Sequence, residues 1–303
     1  MDKETTEKYI KNVEERIVPG KVAAVYQGAE FLRKLPGAMQ RRIVSKNSRK
    51  EPYMGFVVEP YSFFLAYEID EPMVKGYLPD SYELMPVSLF ENSKEKLCAV
   101  AGCFTIHTSV FWGTRIELYI IAKNKVSGLP SWIIGDYESN TINYEPGKGF
   151  LPPTVKKCIY TTSYDGEIIC DIESKKGSNK IDLTADITSY NRTALSRKLW
   201  LEGNLSIDYA GELDNAGGEP FGLIFDPAEM RYAQSVANEN IHIREINFGF
   251  IHTGMKPFEA CCFPYAQHYI TTVIPEGHEM RNEKDLEDRI YQIINVPSAA
   301  PHE

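Results

Sequence analysis

The stretch that decides the fold runs from Phe111 to Glu173 and reads FWGTRIELYIIAKNKVSGLPSWIIGDYESNTINYEPGKGFLPPTVKKCIYTTSYDGEIICDIE. It begins with a strand pattern that has a charged middle, continues through a long segment dense in Gly, Pro and aromatic residues, and ends in a second strand pattern. Because the middle segment carries Trp132, Tyr144 and Phe150, we expect an ordered loop and not a disordered one. A long ordered loop in a compact chain is usually functional, so a functional site is expected in this stretch.

The first strand of this stretch, Thr114 to Ala122, is predicted to have two distinct faces. Side chains alternate along a strand, so Arg115 and Glu117 lie side by side on one face. Two interpretations follow. The residues form an ion pair on a solvent-exposed strand face, or they line a semi-buried cleft in which Arg115 binds a carboxylate and Glu117 acts as a base. His107, on the preceding strand, would converge on the same cleft.

Composition excludes several classes of function. The chain has 303 residues, 43% of them hydrophobic, and a net charge of -9, which repels a phosphate backbone. No segment approaches the ~20 continuous apolar residues of a membrane span, and the N-terminus lacks a signal-peptide pattern. The six cysteines form no C-x-x-C pair and lie in apolar segments, which predicts buried free thiols. We therefore expect a soluble, cytoplasmic protein that binds neither nucleic acid nor membrane.

The rest of the chain predicts strands between terminal helices. Helical patterns cover residues 4–17 and continue from Lys21 to Pro36, a short helix is predicted from Asp226 to about Ala237, and a last helix covers residues 283–294. Between the terminal helices the strands alternate in the manner of antiparallel sheets, and Asp165-Gly166 indicates a hairpin turn. We predict an α+β fold with a mostly antiparallel, curved or closed β-sheet and peripheral helices. Its parts are an N-terminal helical segment, 1–52, a β domain, 53–282, and a C-terminal helix and tail, 283–303.

Several segments, in order, resemble the acetoacetate decarboxylase family between about Tyr61 and Pro264. They read AYEIDEPMVKGYLPDSYEL, TRIELYIIAKN, EPFGLIFDPAEM and IHIREINFGFIHTGMKPFEACCFP. The resemblance implies a barrel of the acetoacetate-decarboxylase-like kind, a homo-oligomer, no cofactor, and a small carboxylic or keto acid as the ligand. It also implies decarboxylation through an imine with a lysine held neutral by desolvation and a neighbouring cation, an effect for which this family is the usual example.

The family's aromatic-Pro-Lys-Lys phrase is not matched here. The corresponding phrase, residues 149–153, reads GFLPP and contains no lysine, although Lys148 precedes it and Lys156-Lys157 follow it. Where family members carry a basic residue in an early strand, this chain has Glu59, Pro60 or Tyr61. The predicted catalytic residues are Lys148, which precedes this phrase, and Glu117 of the predicted strand. The predicted substrate-binding residues are Arg115, His107, Trp112 and Tyr144.

Two functions remain open at the level of sequence. The first is a carboxy-lyase that acts on a small keto acid through a lysine imine. The alternative is a small-molecule-binding barrel that has lost the catalytic lysine and closes its aromatic loop over a hydrophobic acid. The histidines show no H-x-H or H-E-x-x-H spacing, which argues against a metal site. Phosphate-loop and G-x-S-x-G motifs are also absent from the sequence, so neither nucleotide binding nor serine hydrolysis is expected.

Overall fold

A computed structural model of the protein describes residues 1–47, 54–145, 148–189, 191–209, 221–271 and 280–295. Its helices are α1, Lys3–Glu14, α2, Pro19–Leu32, α3, Gly37–Asn47, and α4, Glu283–Asn295. Within the described ranges, no helix combines the length and the apolar character that a membrane crossing requires. The predicted domain boundary between residues 52 and 53 lies outside the described residues.

The remaining regular structure is mainly strand, numbered here in chain order. The first ten strands are β1 Met54–Val58, β2 Ser62–Glu68, β3 Tyr82–Leu84, β4 Pro86–Val87, β5 Lys96–Thr108, β6 Trp112–Asn124, β7 Pro130–Ser139, β8 Asn143–Glu145, β9 Gly149–Leu151 and β10 Val155–Thr162. The next ten are β11 Glu167–Ser174, β12 Lys180–Asp186, β13 Arg192–Ala194, β14 Ser206–Tyr209, β15 Phe221–Phe225, β16 Tyr232–Ser235, β17 Ile241–Phe248, β18 Ile251–His252, β19 Glu259–Phe263 and β20 Gln267–Thr271.

Seven of these strands close into a barrel. The ring runs β5, β1, β20, β15, β14, β7, β6 and back to β5, and each neighbouring pair is hydrogen-bonded. All pairs are antiparallel except β14 with β7, where Ile207 lies opposite Trp132 in a parallel ladder. The barrel is therefore mixed, and the predicted class, a largely antiparallel closed sheet with peripheral helices, is confirmed.

A second sheet covers part of the outer wall of the barrel. Its strand order is β10, β11, β12, β17, β18, and its apolar face includes Cys170, Ile172 and Leu183. These residues belong to the same buried cluster as Ile116 and Leu118 of β6. The side chains on the other face of β6 point into the barrel, so both faces of this strand are buried.

Helix α1 covers the other side of the barrel and packs against β1, β20 and α4. Its Tyr9 is fully buried and its hydroxyl donates to the backbone carbonyl of Ile224 on β15 at 2.8 Å. Burial of an aromatic ring together with a satisfied hydroxyl stabilises this contact. The N-terminal helix is thereby joined to the β-sheet through long-range contacts.

Two predicted elements differ from the structure. The segment predicted as a long loop contains the ten-residue strand β7 and the short hairpin β8–β9. Trp132 and Ile134 face one core and Ile133 faces the other, so both faces are apolar and the alternation that marks a strand is hidden. The helix predicted from Asp226 to Ala237 is also wrong, since it is a short 3-10 turn, Pro227–Met230, followed by β16.

The hairpin turn predicted at Asp165-Gly166 is confirmed. It joins β10 to β11, and Gly166 has a φ of 84°, which an L side chain rarely adopts. The register places Cys158 opposite Ile172 and Tyr160 opposite Cys170.

Candidate functional site

The barrel encloses an apolar cavity of about 230 Å³. All seven barrel strands contribute side chains to it, mostly from every second position, as the strand period requires. Its aromatic and aliphatic lining residues include Phe56, Phe64, Phe104, Ile106, Trp132, Ile134, Trp200, Ile207, Leu223 and Tyr269. A concave, mainly aromatic and aliphatic cavity with few polar groups is the usual form of a small-molecule site.

An ion pair lies in the wall of this cavity. Arg115 and Glu117 have side chains that are only 5% and 8% exposed, and Arg115 Nε lies 2.6 Å from Glu117 Oε1. Both line the cavity from β6. The solvent-exposed ion pair considered from the sequence is therefore not what the fold forms, because closure of the barrel encloses this face of β6. The contact between Arg115 and Glu117 is nevertheless the one that the strand period predicts.

Further polar groups from distant parts of the chain hold the pair in place. An Arg115 η nitrogen donates to Asn143 Oδ1 on β8, the other η nitrogen lies 3.4 Å from the Tyr209 hydroxyl, and the Tyr119 hydroxyl donates to Glu117 Oε2. The guanidinium also lies over the ring of Tyr137, 4.9 Å from its centroid, in a cation–π contact. Hydrogen bonding of this density is what makes a buried charge pair tolerable in an apolar interior.

The electrostatics of the network keep Arg115 charged. Burial alone lowers the pKa of Arg115, but the Glu117 carboxylate and the neighbouring tyrosines outweigh it, so that the net pKa is raised. Burial first, and the Glu117 charge second, raise the pKa of Tyr119. The tyrosine therefore stays protonated and donates its hydrogen bond, and the site carries one fixed positive and one hydrogen-bonded negative group.

The hairpin β8–β9 forms one end of the cavity. Tyr144 and Phe150 line the cavity from this hairpin, with their ring centroids 5.0 Å apart. Gln40 of α3 accepts a hydrogen bond from the Phe150 backbone N–H at 2.8 Å and donates to the Leu35 carbonyl at 2.8 Å. One buried glutamine thus joins the N-terminal helices to the end of the cavity.

Lys148, the predicted nucleophile, lies in a separate polar cleft of about 620 Å³ and is not in the lining of the apolar cavity. Its side chain is 64% exposed, and Nζ lies 2.5 Å from the buried carboxylate of Glu145. Glu145 in turn accepts a hydrogen bond from the Tyr137 hydroxyl at 2.7 Å. The cleft and the cavity are neighbours, since Ile134 and Tyr209 line both.

The same cleft contains two further acidic residues. Asn179 Nδ2 lies 3.0 Å from both Asp136 Oδ2 and Glu138 Oε1. Burial raises the pKa of Asp136 and of Glu138. Among the described residues, however, no group of three or more His, Cys, Asp or Glu side chains is arranged to hold a metal ion.

His107 and Trp112 lie outside the cavity. His107 bonds to Glu59 and stacks on Trp112 with ring centroids 4.7 Å apart, and Trp112 is 40% exposed. The strand period explains their position: Ile106 and Thr108 line the cavity, so the residue between them faces outward. Three of the predicted site residues, Arg115, Glu117 and Tyr144, therefore meet at one cavity, whereas Lys148, His107 and Trp112 lie elsewhere.

Sequence reasoning did not single out some residues of the polar network. Tyr119 has a recognisable signal, because it follows Glu117 by two positions and so faces the same side of β6. Asn143 and Tyr209 have no such signal in the sequence. Asn143 lies on the short hairpin β8–β9 and Tyr209 on β14, which closes the barrel, and both are distant from Arg115 in the chain. Only the tertiary fold brings them to Arg115.

Comparison of the whole chain with known proteins gives matches in structure alone, since no family sequence profile and no curated protein matches it. The acetoacetate decarboxylase from Legionella pneumophila matches with a TM-score of 0.42 and 13% identity, over 71% of this chain and 84% of that one. An acetoacetate decarboxylase-like enzyme from Sphingomonas wittichii RW1 matches with a TM-score of 0.39 and 7% identity, over 73% of this chain and 91% of that one.

A third match is MppR, an enduracididine biosynthesis enzyme solved with the condensation product of pyruvate and imidazole 4-carboxaldehyde. Its TM-score is 0.38 and its identity 10%, over 72% of this chain and 84% of that one. These matches are similarities of fold at 7–13% sequence identity. At these identities and TM-scores, the matches carry no argument about the function of this chain.

Proposed function

We propose that the protein binds a small, largely apolar molecule in the barrel cavity, with one polar end of the ligand against Arg115. The observation that carries the proposal is a buried, hydrogen-bonded ion pair in the wall of an otherwise apolar cavity. An apolar enclosure supplies affinity through the hydrophobic effect, and a few fixed polar groups orient the ligand.

The size of the cavity limits the ligand. A cavity of about 150 Å³ lined by aliphatic and aromatic residues holds one benzene molecule. The 230 Å³ cavity of this barrel therefore fits a compound with one ring, or a branched chain of similar volume, and a short polar substituent.

Tryptophan fluorescence tests the proposal directly. Trp132 and Trp200 line the cavity, whereas Trp112 lies outside it and is removed by Trp112→Phe to lower the background. A panel of small ketones, keto acids, carboxylic acids and amides is titrated against this variant. We expect at least one saturable ligand, and we expect Leu223→Phe, which fills the cavity from β15, to abolish the response. The absence of any saturable binder overturns the proposal.

A second candidate function is the carboxy-lyase with Lys148 as its nucleophile and a keto acid as its substrate. One observation favours it: Lys148 lines a cleft that borders the cavity, with Glu145 and Tyr137 between the lysine and Arg115. For this function, Lys148 Nζ must leave the Glu145 carboxylate, because imine formation needs a neutral amine.

Borohydride trapping distinguishes the second candidate from simple binding. The intact mass is measured after borohydride treatment with acetoacetate and with pyruvate, on the wild type, Lys148→Ala and Lys176→Ala. Lys176 lines the same cleft and serves as the matched control. A mass gain that is lost only in Lys148→Ala supports the imine. No gain in the wild type contradicts lysine chemistry at this cleft and leaves binding as the function.

A further inference from the structure

We infer that the cavity selects neutral carbonyl compounds over the matching carboxylates, because Arg115, the one cation among its described lining residues, is already neutralised by Glu117. This inference rests on the proposed binding function and specifies the ligand class. It also differs from the keto-acid ligand that the sequence resemblance implies.

The charged side chains in the cavity wall balance each other. Of the lining residues in the described ranges, Arg115 carries the only positive charge and Glu117 the only negative one. Their side chains are 5% and 8% exposed, so solvent screens neither of them well. The described part of the wall is therefore close to neutral, and it contains no surplus charge with which to balance an anion.

Arg115 retains hydrogen-bond donors beyond those that its protein partners use. A guanidinium has five N–H donors, and the bonds to Glu117, Asn143 and Tyr209 occupy three of them. A ligand carbonyl oxygen accepts from a remaining η N–H while the Arg115–Glu117 bond stays intact. A neutral amide or ketone thus gains a charge-assisted hydrogen bond without adding a charge to the cavity.

A carboxylate ligand in the same position is disfavoured by its charge. It brings a second negative charge close to Glu117 and leaves a net negative charge inside an apolar wall, where desolvation is expensive. If the ligand instead displaces Glu117 from Arg115, the Glu117 carboxylate keeps the Tyr119 hydrogen bond but loses its counter-ion. Both routes weaken the binding of an anion relative to a neutral compound of the same shape.

Three ligands of nearly equal size test the inference: phenylacetone, phenylacetamide and phenylacetate. Each is titrated by fluorescence into the Trp112→Phe protein at pH 7. We expect phenylacetate to bind at least about tenfold more weakly than the better of the two neutral compounds. We also expect its affinity to rise as the pH falls toward the ordinary carboxyl pKa of about 4, because the neutral acid then forms.

Two variants at Glu117 assign the selectivity to its charge. Glu117→Gln removes the charge at constant shape and is expected to reverse the preference in favour of phenylacetate. Glu117→Asp keeps the charge and is expected to keep the preference for the neutral ligands. If Glu117→Gln does not fold, the comparison in the parent protein and in Glu117→Asp still decides the question.

The outcomes separate the two proposals. Equal or tighter binding of phenylacetate in the parent protein overturns the inference and leaves the binding function in place. Binding of none of the three compounds, together with no hit from the wider panel, overturns the binding function itself. A preference for neutral ligands that survives Glu117→Gln contradicts the role assigned to Glu117.

Discussion

Arg115 and Glu117 lie two residues apart on β6, on the same face of the strand, with 2.6 Å between Nε and Oε1 inside the barrel. A buried pair of this kind costs desolvation energy that its Coulomb attraction only partly offsets, so it is weak evidence for a stabilising role. Its place in the wall of an apolar cavity is the observation on which the proposed binding function rests.

The buried pair predicts strong coupling between its two members. Arg115→Met leaves Glu117 buried without its counter-ion, so the free energy of unfolding should fall by about 3–5 kcal/mol. The double variant Arg115→Met/Glu117→Gln removes both charges and should recover most of that loss. Urea denaturation of the single and double variants measures the coupling in a double-mutant cycle.

A second ion pair, which joins β6 to β3, provides the control for this cycle. Lys123 Nζ lies 2.9 Å from Glu83 Oε1, and both side chains are more than 40% exposed. Lys123→Met should change the free energy of unfolding by less than about 1 kcal/mol. Equal effects of Arg115→Met and Lys123→Met would contradict the buried character of the Arg115 site.

Gly102 on β5 permits the close approach of an aromatic ring to the barrel wall. A Cβ added there would lie 2.6 Å from Phe64 Cε1, and the Phe64 ring lines the cavity and packs against Trp200. Gly102→Ala should therefore displace this ring, destabilise the fold by about 1–3 kcal/mol and shift the tryptophan emission. Gly28→Ala is the control, since this glycine lies in α2 with open space around it and should tolerate alanine without loss. An unchanged midpoint and emission in Gly102→Ala would refute the prediction.

His268 on β20 predicts a loss of stability above neutral pH. Its Nδ1 lies 2.7 Å from Glu229 Oε1, and its backbone N–H donates to Glu229 Oε2 at 2.7 Å. Burial by itself lowers the pKa of His268, but the carboxylates of Glu229 and then Glu14 outweigh it, and the net pKa is raised above 6.5.

The sign follows from proton linkage. A histidine whose folded-state pKa is raised contributes stability that is fully present below about pH 6.5 and is lost as the pH rises through the folded-state value. The free energy of unfolding, measured in urea at pH 6 and pH 8.5, should therefore fall more in the wild type than in His268→Gln. His252→Gln, at an exposed histidine, is the control and should behave as the wild type does. Identical pH dependence of the free energy of unfolding in the wild type and His268→Gln would show that the His268–Glu229 contact does not make stability depend on pH.

All six cysteines are free thiols, and all but Cys158 are fully buried. Burial raises the pKa of Cys98, of Cys158 and of Cys262 to about 12, which suppresses the reactive thiolate. Titration with a disulfide reagent at pH 8 should therefore label less than about one thiol in the native protein within minutes, and all six in denaturant. Cys158→Ala should remove whatever slow native labelling occurs. Fewer than six reactive thiols in unreduced, denatured protein would indicate a disulfide and contradict the prediction.

The features that the sequence determined by itself are local. The period of two in β6 places Arg115 and Glu117 on one face, and the Asp165-Gly166 turn sets the β10–β11 hairpin. Side-chain alternation and turn geometry depend on a few consecutive residues, so a pattern within one segment is enough to specify them. The class of fold follows from the sum of such patterns.

The features that only the tertiary structure decided depend on residues far apart in the chain. Barrel closure includes the parallel pairing of β7 with β14, and this closure encloses Arg115 and Glu117 instead of leaving them in solvent. The same closure brings Asn143 and Tyr209 to Arg115, while Lys148 stays in the neighbouring cleft on Glu145. No local periodicity encodes which face a distant strand will cover, because burial arises from the packing of segments that share no sequence signal.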